Sequence, residues 1–124
     1  MVSVVLDTTV LIDHLRGSSP AGEYFAAFGA PPSCSEMTRF EVLQGARSSE
    51  RRGVEQLFAL LTWIPVDETV SRRAGELGCH WRRSHPGIGA ADLVIAATAE
   101  VLDVPLATLN IKHFPMFEGL RAPY

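Results

Sequence analysis

The chain has 124 residues, 47% of them hydrophobic and 20% charged, with a formal net charge of −3. That supports one buried core and is too little for two, so a single domain over residues 1–124 is expected. No run approaches the roughly 20 apolar residues of a membrane helix, no basic segment precedes an apolar run at the N-terminus, and the acidic balance argues against a general nucleic-acid-binding surface.

Residues 2–6, VSVVL, predict a short buried strand, and TTVLIDHLRG then takes helical spacing and stops at Gly17. SSPAGEYFAAFG predicts a second helix, opened by Ser18 or Ser19 before Pro20 and closed at Gly29. APPSC is a brief extended piece, SEMTRFEVLQGA a helix that Ser35 can cap, and ERRGVEQLFALL a further helix. TWIPVD is apolar, β-rich and bounded by turn residues, which predicts a strand. Asp67 then starts a long helix through ETVSRRAGELGCHWRRS, and HPGIG breaks it. AADLVIAATAEVL is helical and apolar around most of its circumference, the mark of a helix buried on most sides. VPLATL is the next strand, and NIKHFPMFEGLRAPY ends the chain in a turn, a loop and a last short strand. Strands alternating with helices predict an α/β domain with a mainly parallel sheet.

Cys34 and Cys79 have no zinc-type spacing; one disulfide is open to them, but two reduced, buried thiols are the expectation for a cytoplasmic protein. His80 and His85 are the only close histidines, in the basic stretch HWRRSHPG, and a solvated helix end explains them better than zinc. Positive charge is clustered at Arg47, Arg51 and Arg52, at Arg72 and Arg73, and at Arg82 and Arg83. Each cluster alone is a solvated helix face; together they can guide a polyanion towards an acidic centre.

Two strands run directly into polar residues, VVL into Asp7-Thr8-Thr9 and PLA into Thr108-Leu109-Asn110. Parallel strands bring both ends to one edge of the sheet, where α/β proteins carry their crevice. Each group also has a local use: Asp7 or Thr8 as a helix cap, Asn110 in a turn. Asp92 sits in the first turn of the most apolar helix, where an unpartnered carboxylate costs several kcal/mol or takes up a proton. A helix N-terminus offsets only about 0.3–1 kcal/mol of that, so a cation is the fuller solution and an exposed first turn the plainer one. Glu41 follows Met37 by four residues, next to the inward face of its helix, with a surface pairing to Arg47 as the alternative. Glu36, in a first turn, suits a solvated dipole partner. Asp7, Glu41 and Asp92 come from three elements with apolar surroundings, and carboxylates that converge need a cation between them. Oxygen donors of this kind suit Mg²⁺ or Mn²⁺ rather than zinc.

The stretches VVLDTTVLIDHL, TRFEVLQGA, GIGAADLVIAATA and ATLNIKHF resemble, in order and spacing, those of PIN-domain proteins, above all the VapC-type toxins of bacterial toxin–antitoxin pairs. The resemblance covers nearly the whole chain. It implies a three-layer α/β sandwich with a mainly parallel central sheet flanked by helices, and an acidic pocket holding Mg²⁺, with Mn²⁺ as a substitute. It implies an endoribonuclease acting on RNA, a VapB-type antitoxin covering the pocket, and homodimers and toxin–antitoxin hetero-oligomers. The family's acidic positions fall on Asp7, Glu41 and Asp92, as metal ligands and catalytic residues, and Thr9 falls on a position whose hydroxyl supports the metal site. One departure stands out: many relatives carry a further Asp near the end of the fourth strand, where this chain has Asn110 and, three residues on, His113. Asn110 joins the catalytic set as an amide-oxygen ligand or a holder of bound water, and a second tightly held ion is less expected.

Two other classes compete. A haloacid-dehalogenase-type phosphatase needs an Asp two residues after its first one, and Thr9 stands there. A non-catalytic RNA- or protein-binding module of the same fold is the alternative that the missing fourth carboxylate favours. EYFAAF in the second helix is more apolar than a surface helix needs; core packing explains most of it, and an antitoxin groove or dimer contact is the expectation for the rest.

Overall fold

Local capping chemistry fixes most helix starts. The computed structural model describes residues 3–124. Ser18 accepts the Ala21 N–H at 3.3 Å ahead of helix α2 (Ser19–Ala26), with Pro20 in its first turn. Ser35 accepts the Met37 N–H at 3.1 Å ahead of α3 (Glu36–Gly45). Asp67 accepts the Val70 N–H at 3.0 Å ahead of α5 (Glu68–Trp81). Helix α1 (Thr8–Leu15) ends where Gly17 takes a φ of +86°, a left-handed value that glycine adopts without strain. The remaining helices are α4 (Arg51–Phe58) and α6 (Ala90–Leu102).

Four short strands, β1 (Val5–Leu6), β2 (Ser33–Ser35), β3 (Thr62–Ile64) and β4 (Leu106–Ala107), form one parallel sheet in the order β3-β2-β1-β4. Val5 lies opposite both Ser33 and Leu106, and Leu6 opposite Ala107. The period of two sends Val5 and Leu106 to one face and Leu6, Cys34 and Ala107 to the other. The first face packs against Val70, Ala74 and Leu77 of α5 and against α6, including Ile95, Ala96 and Ala99. The second packs against Val10 and Leu11 of α1, Val42 of α3, and Val54, Leu57 and Phe58 of α4. The result is the three-layer α/β sandwich expected from the sequence. The chain builds outward from β1 to β3 and then crosses to β4 on the other side of β1. The strand order therefore reverses between β1 and β4, where open α/β sheets place their crevice.

Several expectations change in detail. Val2, at the start of the expected first strand, lies outside the described residues. Among the described residues no strand follows β4; a short 3-10 turn, Ile111–His113, takes its place, because Phe114 is drawn into the core beneath α6. Cys34 and Cys79 are both free, but only Cys34 is buried. Burial pushes the Cys34 thiol up to about 12 and leaves it inert, whereas Cys79 falls outside the Val70–Ala74–Leu77 stripe of α5 and is exposed. His80 and His85 both pack edge-on against Trp81, with ring centroids 4.8 and 5.5 Å away. In α2 and just past its end, Tyr24 and Phe28 pack at 5.0 Å, Tyr24 meets Tyr124 at 5.5 Å, and Phe25 meets His14 at 4.6 Å, which leaves Tyr24, Phe25 and Phe28 half-buried. Among the described residues no helix is long and apolar enough to cross a membrane.

Candidate active site

Asp7 occupies the N-cap position of α1, yet its side chain makes no cap hydrogen bond. It turns instead to the β1–β4 seam, where its backbone N–H reaches the Ala107 carbonyl at 2.8 Å. Its Oδ2 accepts from the Thr108 hydroxyl at 2.7 Å and from the Thr9 hydroxyl at 2.8 Å. Both threonines are themselves held: Thr108 Oγ1 accepts the Asn110 N–H at 2.9 Å, and Thr9 Oγ1 accepts the Leu109 N–H at 3.1 Å. The carboxylate is 3% exposed. Burial raises its pKa above the ordinary value, the two hydroxyls pull part of the way back, and the charge of Asp92 adds to the rise.

Glu41 projects from α3 towards the start of α1. Its Oε1 lies 2.6 Å from the Thr8 hydroxyl, which also lies 3.0 Å from the buried Thr38 hydroxyl. Thr8 has one proton, and the carboxylate is the stronger acceptor, so Thr38 donates to Thr8 and Thr8 to Glu41. The surface pairing of Glu41 with Arg47 does not form. Partial burial raises the Glu41 pKa, Thr8 opposes this, and the charges of Asp7 and Asp92 reinforce it. Glu36 points elsewhere and pairs with Arg39 at 2.6 Å.

Asp92, in the first turn of α6, accepts the Gly89 N–H through Oδ2 at 2.9 Å, so it is a helix cap as well as a pocket residue. The same Oδ2 stands 3.0 Å from His113 Nδ1. The Asn110 amide lies 2.8 Å from that imidazole nitrogen, so it enters the site through His113.

The three carboxylates share one design. Among the described residues each has one oxygen held by donors, Asp7 Oδ2, Glu41 Oε1 and Asp92 Oδ2, and its other oxygen without a hydrogen-bond partner. No three His, Cys, Asp or Glu side chains among the described residues close around one point as an ion cage. The donor set nevertheless fits Mg²⁺, which keeps several waters and takes only one or two protein carboxylates, and the hydroxyl and imidazole partners are the kind of outer support that orients metal ligands.

Thr8, Thr38, Thr108 and His113 carry this support; sequence reasoning reached Thr8 as a cap, Thr108 as a polar strand end and His113 as the neighbour of a departure, and it missed Thr38. Thr108 and Thr38 are fully buried hydroxyls, a signal that exists only once burial is known. The basic clusters sort differently from one another. Arg72 pairs with Glu68 at 2.7 Å and Arg73 with Glu100 at 2.6 Å, so their charge is already matched. Arg16 and Arg47 have no carboxylate in ion-pair range among the described residues, and both line a groove of about 630 Å³ between α1, α3 and α4 that also includes Glu41.

A parallel α/β sandwich with a carboxylate pocket at its topological switch point defines an acid-pocket α/β protein. The PIN domain family model matches residues 4–115. The chain is 43% identical to ribonuclease VapC19 of Mycobacterium tuberculosis over 123 residues, 97% of this chain and 98% of the relative. It is 44% identical to ribonuclease VapC10 of the same organism over 123 residues, 98% of this chain and 92% of the relative. A toxin–antitoxin complex from Klebsiella pneumoniae contains a chain of the same fold, with a TM-score of 0.80 and 28% identity over 98% of each chain. The chain belongs to the PIN-domain family and, within it, to the VapC group.

Proposed function

We propose that this chain is the toxin of a type II toxin–antitoxin pair: a cytoplasmic, Mg²⁺-dependent endoribonuclease that hydrolyses RNA phosphodiester bonds and stops growth until a VapB-type antitoxin binds it. The observation that carries the reading is the set of three carboxylates, each with one oxygen anchored and one without a partner. The names of the relatives as ribonucleases favour catalysis over the binding-module alternative, and the neighbouring toxin–antitoxin complex favours an antitoxin partner.

Asp7 and Asp92 would hold the ion, and Glu41 would either ligate it or orient a water towards the phosphate. A divalent cation held there supplies Lewis-acid stabilisation of charge on the phosphate and acidifies the attacking water. Asn110 contributes through His113. Thr9 and Thr108 keep Asp7 ionised and aimed. Arg16 and Arg47 lie along the groove that reaches Glu41, where they would hold the RNA backbone. Homodimers and toxin–antitoxin hetero-oligomers are the expected assemblies.

The test is cleavage of a total RNA pool by purified protein. Cutting in Mg²⁺, its loss in EDTA, and a fall of more than about a hundredfold in Asp92→Asn are expected, beyond the effect of losing an outer partner alone. Cleavage by Asp92→Asn at the parent rate in saturating Mg²⁺ sinks the assignment, and RNA binding without any cleavage returns the binding module.

A further inference from the structure

His113 lies on the 3-10 turn after β4, three residues past Asn110. Its Nδ1 meets two groups at once, Asp92 Oδ2 at 3.0 Å and the Asn110 amide at 2.8 Å. One ring nitrogen either donates or accepts. If Nδ1 accepted, its lone pair would face a carboxylate oxygen at 3.0 Å, which is repulsive. The proton therefore sits on Nδ1, aimed at Asp92, and Asn110 turns its amide oxygen to the same hydrogen, an exchange of O and N that leaves the heavy atoms in place.

The ring is held from several sides. The His113 N–H reaches the Asn110 carbonyl at 3.0 Å. Phe114, next in sequence and 1% exposed, anchors the turn in the core. A side chain at Gly87 would come within 3.8 Å of Nε2, so the loop before α6 closes on the far edge of the imidazole. Asp92 Oδ2 thus takes two donors, the Gly89 N–H and the His113 ring, in the way Asp7 Oδ2 takes two hydroxyls.

We propose that His113 is a positioning residue of the carboxylate pocket: its Nδ1 hydrogen bond fixes the Asp92 carboxylate so that Oδ1 is the oxygen presented to the cation. At this edge of the pocket the chain places an imidazole N–H donor, not a further carboxylate, against the third carboxylate. The inference rests on the cation-dependent reading above.

Mn²⁺ binding, measured by electron paramagnetic resonance of the free ion with no RNA present, tests it. His113→Phe keeps an aromatic ring and removes the donor, whereas His113→Asn keeps an N–H donor at a similar reach. In His113→Phe the Mn²⁺ affinity falls about 10–100-fold, and in His113→Asn it returns to within about threefold of the parent. Both variants unfold near the parent temperature in EDTA. The proposal is overturned if His113→Phe binds Mn²⁺ as tightly as the parent, or if His113→Asn binds no better than His113→Phe. A parent protein that binds no Mn²⁺ removes the cation reading itself, and this inference with it.

Discussion

Asp7 and Asp92 face the same pocket from unlike supports. Asp7 hangs from the sheet, 3% exposed, and the side-chain hydroxyls of Thr9 and Thr108 are the strongest donors that meet it. Asp92 stands at a helix N-terminus with its side chain 20% exposed, and a backbone N–H caps it. A buried carboxylate held by neutral donors keeps part of its desolvation cost, which a cation would relieve. A carboxylate that caps a helix is favoured by the fold whether or not a cation arrives. One wall of the pocket therefore carries the cost of a buried charge, and the other is part of the scaffold.

The sharpest way to break this comparison is to remove each charge in turn. Mg²⁺ is expected to raise the melting temperature of the parent, and Asp7→Asn and Asp92→Asn are both expected to abolish that shift. In EDTA they part: Asp7→Asn melts several degrees higher than the parent, because about 1 kcal/mol moves the midpoint by a few degrees in a domain of this size, whereas Asp92→Asn gains nothing. Equal melting of the two variants in EDTA would end the distinction.

Thr108→Val removes a donor to Asp7 and the acceptor of the Asn110 N–H in one step. Mg²⁺ affinity is expected to fall about 10–100-fold, together with a loss of roughly 1–3 kcal/mol from the orphaned groups. Thr9→Val should cost less, because the Leu109 N–H it leaves behind lies in an exposed stretch where water replaces the hydroxyl. Calorimetric titration of both variants compares them directly, and a larger loss in Thr9→Val would contradict the ranking.

The pH dependence follows from the raised pKa values of Asp7 and Glu41. A carboxyl whose folded pKa lies above its unfolded value keeps its proton in the folded state after the unfolded chain has lost it. Its contribution is then fully present below the unfolded value and lost as pH rises through the folded one. In EDTA the parent should lose stability relative to Asp7→Asn as pH climbs from the ordinary carboxylate range, and saturating Mg²⁺ should flatten the difference. Parallel melting curves across that range would show that the burial of Asp7 carries no such cost.

The smallest effects belong to the surface. Arg16→Ala and Arg47→Ala should weaken RNA binding a few-fold and lower its salt dependence, by about one unit of slope for each phosphate that an arginine no longer neutralises. Arg72→Ala, whose charge is already matched by Glu68, should leave both unchanged. A weakening in Arg72→Ala equal to that in Arg47→Ala would place the RNA on another face.

Much of this arrangement is legible in the residues alone. Ser18-Pro20, Ser35, Asp67 and Gly17 mark helix ends through hydrogen bonds and turns a few positions long, and the alternation of strands and helices determines a parallel α/β sheet. Asp7, Glu41 and Asp92 stand out because each is a charge in an apolar setting. Tertiary structure decided the rest: that Asp7 is no cap, that Cys79 is exposed, that Arg73 of α5 is matched by Glu100 of α6, and which oxygen of each carboxylate is held. Those carboxylate bonds join residues 101, 33 and 21 positions apart, Thr108 to Asp7, Thr8 to Glu41 and His113 to Asp92. Short-range patterns in a sequence record the hydrogen bonds of a turn or a cap. The register of β4 beside β1 and the packing of α3 and α6 against the sheet set the long ones, and those exist only in the folded chain.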